Sequence, residues 1–412
     1  MATDTTYLIV GASLAGAKAA EALRTGGFDG RLIMIGAEPD RPYERPPLSK
    51  DYLLGKAERD SIYVHPRQWY ADQDVDLRLG IAATGIDRAG HQVTLADGSR
   101  VGYSKLLLTT GSAPRRLTVP GADLDGVLYL RSVQDSERIR AAFQDASRVI
   151  VIGGGWIGLE TAAAARLSGA EVTVLEVAGL PLLAVLGAQV AQVFADLHRD
   201  HGVDLRTGVQ VAAITGSGGR ADGVRLADGS HVAADVIIVG IGIAPSTELA
   251  SQAGLEVENG IRVDAGLRTA DPGIYAAGDV ASAFHPGLGK HIRVEHWANA
   301  LNQPQTAARS MLGQDAAYDR VPYFFTDQYD LGMEYSGYVE PRSSYQVFFR
   351  GDVPGREFIA FWVADGHLLA GMNVNVWDVN DKIEALIRTG QPVEPARLTD
   401  PDVPLEALAA DA

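Results

Sequence analysis

Short apolar runs recur along the chain, and two of them lead into the same series of events. Tyr7–Val10 is followed by Gly11-Ala-Ser-Leu-Ala-Gly16 and then by an Ala-rich stretch over 17–23 with helical spacing. Arg148–Ile152 runs into Gly153-Gly-Gly-Trp-Ile-Gly158 and then into the apolar helix pattern of 159–167. Both predict strand, glycine turn and helix, in that order. Further on, Leu95-Ala-Asp-Gly-Ser99 and Leu226-Ala-Asp-Gly-Ser230 each set Asp-Gly between strand-like runs, which is a hairpin signal. An apolar strand and a glycine-containing turn follow each hairpin, Leu106–Pro114 with Gly111 and Val236–Pro245 with Gly242. Asp97 to Asp228 and Pro114 to Pro245 are both separations of 131 residues, so the register holds from hairpin to proline. Two related domains account for that shared spacing.

After Ala270, Gly273-Ile-Tyr-Ala-Ala-Gly-Asp-Val280 predicts a strand entering a turn at Gly278 and Asp279, and a helix pattern extends from about His296 to Met311. From Asp319 the texture changes. Aromatic and β-branched residues dominate 323–361, and 379–388 reads as one amphipathic helix. The Pro- and Asp-rich tail from Pro392 is expected to wrap the surface. The fold class expected is therefore α/β, with two duplicated Rossmann-like dinucleotide-binding domains plus a C-terminal α+β domain, a glutathione-reductase-like architecture.

Composition narrows the picture. At 412 residues the chain is long enough for two or three domains of roughly 150 residues. Its 46% hydrophobic and 21% charged residues are those of a globular protein, and no apolar run reaches the ~20 residues of a membrane span. Residues 1–6 run into a strand pattern without the features of a signal peptide, so a cytoplasmic location is expected, with no membrane partner. A formal net charge of −16 argues against nucleic acid. The sequence has no cysteine, which removes disulfides, thiolate ligands and dithiol relays from consideration.

In a GxGxxG turn the first glycine makes the bend, the second admits a pyrophosphate and the third packs helix on strand. Gly153, Gly155 and Gly158, with Ile157 between them, match that pattern; Gly11 and Gly16 match it with Ser13 in the middle. An acid at the end of the next strand accepts hydrogen bonds from ribose hydroxyls. Glu38 and Glu176 stand there, 22 and 18 residues beyond the last glycine of their turns. A carboxylate at Glu176 repels a 2′-phosphate and favours NADH over NADPH. Two dinucleotide sites suggest a resident flavin and an exchanging nicotinamide that pass a hydride between them. No Ser/His/Asp arrangement is evident, the nine histidines lack metal-ligand spacing, and His65, His198 and His201 read as surface or packing residues. In Arg45-Pro-Pro-Leu-Ser-Lys50, two prolines stiffen a loop with a cation at each end. Lys50 reads either as a solvated loop lysine or as a cation that stabilises charge on a reduced flavin. Glu160, two residues past the second turn, either favours its helix dipole or sits near the nicotinamide. If the two faced each other at about 4 Å, their coupling would be on the order of a few kcal/mol before desolvation.

Together these residues resemble the ferredoxin reductase family that includes putidaredoxin reductase, rubredoxin reductase and the reductases of ring-hydroxylating dioxygenases, related more distantly to apoptosis-inducing factor. The resemblance covers nearly the whole chain and is carried by Tyr43-Glu-Arg-Pro-Pro-Leu-Ser-Lys50, Val151-Ile-Gly-Gly-Gly-Trp-Ile-Gly-Leu-Glu160, Tyr275-Ala-Ala-Gly-Asp279, Glu295-His-Trp-Ala-Asn-Ala300 and Pro322-Tyr-Phe-Phe-Thr-Asp-Gln-Tyr329. It implies non-covalent FAD in a discontinuous domain over 1–112 and 243–318, NADH in a domain over 113–242, and a C-terminal domain over 319–412 that helps form a ferredoxin-docking face. It further implies that Gly11, Ser13, Ala15, Gly16, Glu38, Arg45, Ala83, Gly111, Arg131, Gly278 and Asp279 hold FAD, with Asp279 on the ribityl chain. Lys50, Glu160 and Trp297 would lie around the isoalloxazine, and Gly153, Gly155, Ile157, Gly158, Glu160, Glu176 and Gly242 would serve NAD. Relatives usually carry arginines four and eight residues after the acid of the second turn; here Leu180 and Ala184 stand instead, and weaker nicotinamide binding is expected. The activity implied is hydride transfer from NADH to FAD and single-electron release to an iron–sulfur ferredoxin, with Arg67 and Arg309 as candidate docking cations and a monomer or homodimer as the working unit. Disulfide-reductase chemistry on the same fold needs a cysteine that this chain lacks. A flavin-bearing signalling protein resembling apoptosis-inducing factor is the alternative.

Overall fold

The computed structural model describes residues 5–341 and 343–408. These fall into two compact units. The first comprises Met1–Arg45, Glu58–Ala113 and Ile243–Arg320, and the second Pro46–Ala57, Pro114–Gly242 and Val321–Ala412.

In the first unit an all-parallel sheet has the order Ile274–Ala276, Lys105–Leu108, Thr6–Val10, Arg31–Ile35, Val75–Arg78. Its inner strands are apolar at successive positions because both faces are covered, and Leu8, Ile9, Leu32 and Met34 are fully buried. The helices Leu14–Thr25 and Trp297–Met311 pack together, and the small side chains of Ala17, Ala19 and Ala20 allow a close approach. A three-stranded antiparallel meander, Ala83–Asp87, Gln92–Leu95 and Arg100–Gly102, completes this half.

The second unit repeats the plan. Its parallel sheet has the order Asp204–Thr207, Glu171–Glu176, Arg148–Ile152, Val236–Val239, Val127–Leu128, and its meander is Val211–Ser217, Arg220–Leu226 and His231–Ala233. The edge strand differs in origin: Val127–Leu128 precedes the glycine turn in the chain, whereas Ile274–Ala276 follows its own. The predicted hairpins form in both halves with the same chemistry. Asp97 accepts from the N–H and hydroxyl of Ser99 at 2.9 and 2.6 Å, Asp228 does so from Ser230 at 2.8 and 2.6 Å, and Gly98 and Gly229 take φ of +82° and +88°.

The C-terminal segment builds a five-stranded antiparallel sheet in the order Tyr323–Gln328, Leu331–Gly337, His367–Val374, Glu357–Ala364, Gln346–Asp352. One face of it shares a core with the second glycine-turn helix and its neighbours: Leu159, Leu186 and Phe194 pack with Phe324, Phe358 and Trp362. That common core is why this sheet and the second Rossmann half form one compact unit. The helix expected over 379–388 is found at Asn380–Thr389. Two local expectations are refined. The tail does more than wrap the surface: it makes a short helix, Pro395–Thr399, and buries Val393, Leu398, Leu405 and Leu408 against Ile359, Phe361 and Ile383. The Pro-Pro segment is not a plain loop, since Pro46–Ser49 closes a 3-10 turn, for which the proline φ is already set.

Candidate functional site

The glycine turns explain why these residue types recur. Gly11 and Gly153 have φ of +121° and +105°, and a Cβ on either would collide with a backbone carbonyl, Thr109 or Gly240, at the end of the neighbouring strand. A Cβ on Gly16 or Gly158 would strike the carbonyl of the first glycine of its own turn. Both helices therefore start flush against their sheets, with no side chain capping either N-terminus. The middle position is different. Gly155 has negative, extended φ, and its nearest neighbour would lie 3.9 Å from an added Cβ; Ser13 occupies the equivalent extended conformation with φ of −127°. The serine thus fits where an alanine-sized side chain has room. The same pseudo-equivalence holds at the second pair of turns, where Gly111 and Gly242 have φ of +66° and +96° and accept the N–H groups of Ser246 and Arg115, each at 2.9 Å.

In the first unit the turn opens into a cleft of about 450 Å³ that brings together Gly11, Ser13, Glu38, Arg45 and Ala83 with Thr109 and Thr110. Glu38 follows the strand Arg31–Ile35, and its carboxylate accepts from Arg45 Nη2 at 2.9 Å and from the Tyr43 hydroxyl. Tyr43 was not singled out for this in the sequence, although it opens the motif that contains Arg45. Gly278, with φ of +81°, donates its N–H to Gln303 Oε1 at 2.9 Å, and a Cβ there would lie 3.2 Å from that of Ala15. The backbone carbonyl of Asp279 accepts from Arg293, and Trp297 is the first residue of its helix and half-buried.

The second unit holds Lys50, Arg131, Glu160, Glu176 and Gly242. Arg131 stands just before Ser132, the N-cap of the helix Val133–Asp145, and its N–H donates to Asp135. Glu176 ends its strand and accepts the N–H of Gly154 at 2.5 Å and of Ala178 at 2.7 Å, so the acid braces the glycine turn itself. Leu182, in left-handed conformation with φ of +57°, donates its N–H to the Gly154 carbonyl at 3.0 Å, and Pro181 lies against Gly154. Leu180 thus adjoins this turn through Pro181, Ala184 is exposed in the short helix Leu183–Leu186 that follows, and Ile157, Val177 and Val185 in these segments are 42, 73 and 45% exposed. The rim is apolar.

Lys50 and Glu160 do meet. Lys50 Nζ lies 2.7 Å from Glu160 Oε1, with side-chain exposures of 16 and 5%. At that distance the attraction is about 6 kcal/mol at an effective dielectric constant of ~20, before desolvation is subtracted. Two further donors converge on the same carboxylate, Thr326 Oγ1 at 2.5 Å and Ser49 Oγ. Both lie inside motifs quoted from the sequence, but nothing in the pattern marked them as partners of Glu160. The same lysine and glutamate bear on Asp327, whose carboxyl is raised above the usual carboxylate range by burial first, with Lys50 opposing and Glu160 reinforcing the shift.

The three histidines singled out in the sequence make packing contacts. His65 stacks on Trp69 at 3.9 Å and His201 on Tyr329 at 3.8 Å, while His198 is fully buried, holds Gln328 Oε1 at 2.9 Å from its Nε2, and is pushed down to about 4 by burial. Arg67 is exposed at the start of a short helix, and Arg309 lies within 3.4 Å of the Asp315 carbonyl. Among the described residues no helix is long and apolar enough to cross a membrane.

Residues 5–304 match the pyridine nucleotide-disulphide oxidoreductase family, and residues 323–409 match the reductase C-terminal family. The chain is 42% identical to the ferredoxin–NAD(+) reductase component of the anthranilate 1,2-dioxygenase system of Burkholderia cepacia, over 98% of each chain. It is 37% identical to putidaredoxin reductase of Pseudomonas putida, over 100% of this chain and 98% of that one. Among solved structures, the covalent putidaredoxin reductase–putidaredoxin complex superposes with a TM-score of 0.94 at 36% identity, covering 99% of this chain and 98% of the other. A ferredoxin reductase from Rhodopseudomonas palustris gives 0.94 at 37%, covering 99 and 100%.

Proposed function

Because the chain belongs to the family of FAD-dependent ferredoxin–NAD(P)+ reductases, we propose that it oxidises NADH and passes the electrons singly to an iron–sulfur ferredoxin. That ferredoxin serves an oxygenase, either a haem-thiolate monooxygenase or a ring-hydroxylating dioxygenase. Non-covalently bound FAD supplies the step between a two-electron donor and a one-electron acceptor. The observation that carries the reading is the doubled dinucleotide turn, each copy with first and third glycines whose Cβ would strike backbone and with an acid at or just after the end of the next strand. The absence of cysteine from the sequence removes the disulphide branch of the chemistry in the family's name. Relatives that act as reductases of oxygenase systems support electron delivery over a signalling role of the kind apoptosis-inducing factor has.

The roles proposed for individual residues combine the geometry of the two turns with the family resemblance. Gly11, Ser13, Ala15 and Gly16 bring backbone N–H groups to the FAD pyrophosphate, Glu38 takes the ribose, Ala83 lines the adenosine end, and Arg45 orients Glu38. Gly111, Arg131, Gly278 and Asp279 complete the cofactor's contacts, with Asp279 on the ribityl chain. Gly153, Gly155, Ile157, Gly158 and Gly242 shape the nicotinamide dinucleotide site, and Glu176 selects NADH. Lys50, Glu160 and Trp297 act at the flavin ring. The FAD-binding domain is 1–112 with 243–318, the NAD-binding domain 113–242, and the C-terminal domain 319–412 contributes to ferredoxin docking. The reading includes the cytoplasmic location and the monomer or homodimer expected from the sequence.

Anaerobic stopped-flow of the yellow protein against NADH and NADPH tests it. Rapid, saturable bleaching by NADH is the expected result. No bleaching by either nucleotide would withdraw the nicotinamide assignment and the reductase function built on it.

A further inference from the structure

Glu160 receives three donors on two oxygens: Lys50 and Thr326 on Oε1, and Ser49 on Oε2. The turn Pro46–Ser49 delivers Ser49 and, one residue later, Lys50. Thr326 comes from the strand Tyr323–Gln328, where the period of two puts Thr326 and Gln328 on one face, and both are fully buried. Gln328 Nε2 lies 3.2 Å from Thr326 Oγ1, and Gln328 Oε1 lies 2.9 Å from His198 Nε2.

The donor inventory sets the direction of every bond in this chain. An amide NH₂ only donates, so Thr326 Oγ1 accepts from Gln328 and its single hydrogen is free to go to Glu160. An amide oxygen only accepts, so His198 carries its hydrogen on Nε2. The result is a one-way run, His198 to Gln328 to Thr326 to Glu160, in a water-poor interior where successive bonds polarise one another. It ends on the carboxylate that Lys50 grips. Glu160 takes one of the three donors of Lys50, leaving two for a bound group.

We propose that Thr326, backed by Gln328 and His198, is a positioning residue for flavin reduction: its hydroxyl fixes the Glu160 carboxylate and thereby aims the Lys50 ammonium. The proposal rests on the reading that Lys50 and Glu160 act at the flavin ring. Without the Thr326 hydroxyl the negative charge of Glu160 is less compensated, which opposes the charge that a reduced flavin carries.

The test is the flavin midpoint potential of the FAD-loaded enzyme, measured by equilibration with a reference dye, for Thr326→Val, Thr326→Ser, Gln328→Leu and Lys50→Met. FAD content and melting temperature check folding. Thr326→Val is isosteric and lacks the donor; the ratio of reduced to oxidised flavin at fixed dye potential is expected to fall about tenfold, on the order of 30 mV for a two-electron couple. Thr326→Ser keeps the hydroxyl and should remain within twofold of the parent, with Gln328→Leu between the two. The rate of hydride transfer should fall in Thr326→Val while the NADH dissociation constant stays within twofold. If Lys50→Met shifts the potential but Thr326→Val does not, or if Val and Ser variants shift alike, the positioning role is overturned and the flavin-site reading stands. If Lys50→Met leaves the potential unchanged, that reading falls and the proposal falls with it.

Discussion

Restoring a cation to the rim of the second glycine turn should tighten NADH binding. Leu180 is half-buried, stands four residues past Glu176, and precedes the Pro181–Leu182 pair that packs on and hydrogen-bonds to Gly154. An arginine at 180 in Leu180→Arg is therefore within a side chain's length of the turn proposed to receive the pyrophosphate. A charge-assisted hydrogen bond in a sheltered site contributes about 1.5–3 kcal/mol, and solvent screening at a half-exposed rim reduces that to about 1–2 kcal/mol. The NADH dissociation constant should fall about 5- to 30-fold. Loss of the leucine's partial burial lowers stability by less than ~1 kcal/mol, which leaves the affinity comparison intact. Stopped-flow reduction over a nucleotide series gives the dissociation constant. Repeating it between low and high ionic strength separates a charge contact, which weakens with salt, from a packing effect, which does not. Glu176 is retained, so NADPH should remain the poorer donor. A constant within twofold of the parent at low salt would refute the placement of the dinucleotide at this rim.

Further outcomes follow from the same geometry. Gly16→Ala and Gly158→Ala each drive a Cβ into a backbone carbonyl that cannot turn away; the first should purify without FAD, while the second should keep its yellow colour and lose reduction by NADH, as absorbance and stopped-flow will show. Glu176→Ser removes the repulsion of a 2′-phosphate and two of the bonds that brace the turn, and should narrow the NADH-to-NADPH preference in kcat/KM at least tenfold while raising KM for both. His198 is depressed to about 4 by burial against an ordinary 6.5, so the unfolded chain takes up its proton first as pH falls. The stability this neutral histidine preserves is complete above pH 6.5 and is lost as pH drops toward 4, with about 2 kcal/mol gone by pH 5. Urea unfolding at pH 7 and pH 5 should show that loss in the parent and a shallower one in His198→Gln; equal slopes would contradict the assignment.

The parts of the fold that were legible in the sequence are those in which a residue type is forced by backbone geometry. Positive φ at Gly11, Gly153, Gly98 and Gly229 admits little but glycine, and the side chains of Asp97 and Asp228 close turns in which they are themselves members. Such signals are local and repeat with the fold. The converging donors on Glu160 are not local: Ser49 lies 111 positions away in sequence and Thr326 lies 166 away. A hydroxyl on a strand gives no periodic sign of what it faces. The packing of the tail was illegible for a related reason. Val393, Leu398, Leu405 and Leu408 are spaced irregularly among prolines and aspartates, so their burial under the C-terminal sheet has no helical or strand period to betray it.

Duplication produced two similar turns, and their differences account for the two roles proposed for them. Glu38 is cross-tied by Arg45 and Tyr43, side chains that come from beyond its own turn, inside a formed cleft. Releasing a cofactor from such a site means disturbing several charge-assisted bonds at once, which suits a resident flavin. Glu176 instead accepts backbone N–H groups of its own surroundings, and the rim beside it exposes Ile157, Val177 and Val185. With Leu180 and Ala184 in place of cations, that rim offers an incoming dinucleotide apolar area and a single selecting carboxylate rather than a charged clamp. Affinity lost there appears chiefly as faster dissociation, and a donor that must leave after every hydride tolerates fast dissociation where a resident cofactor does not.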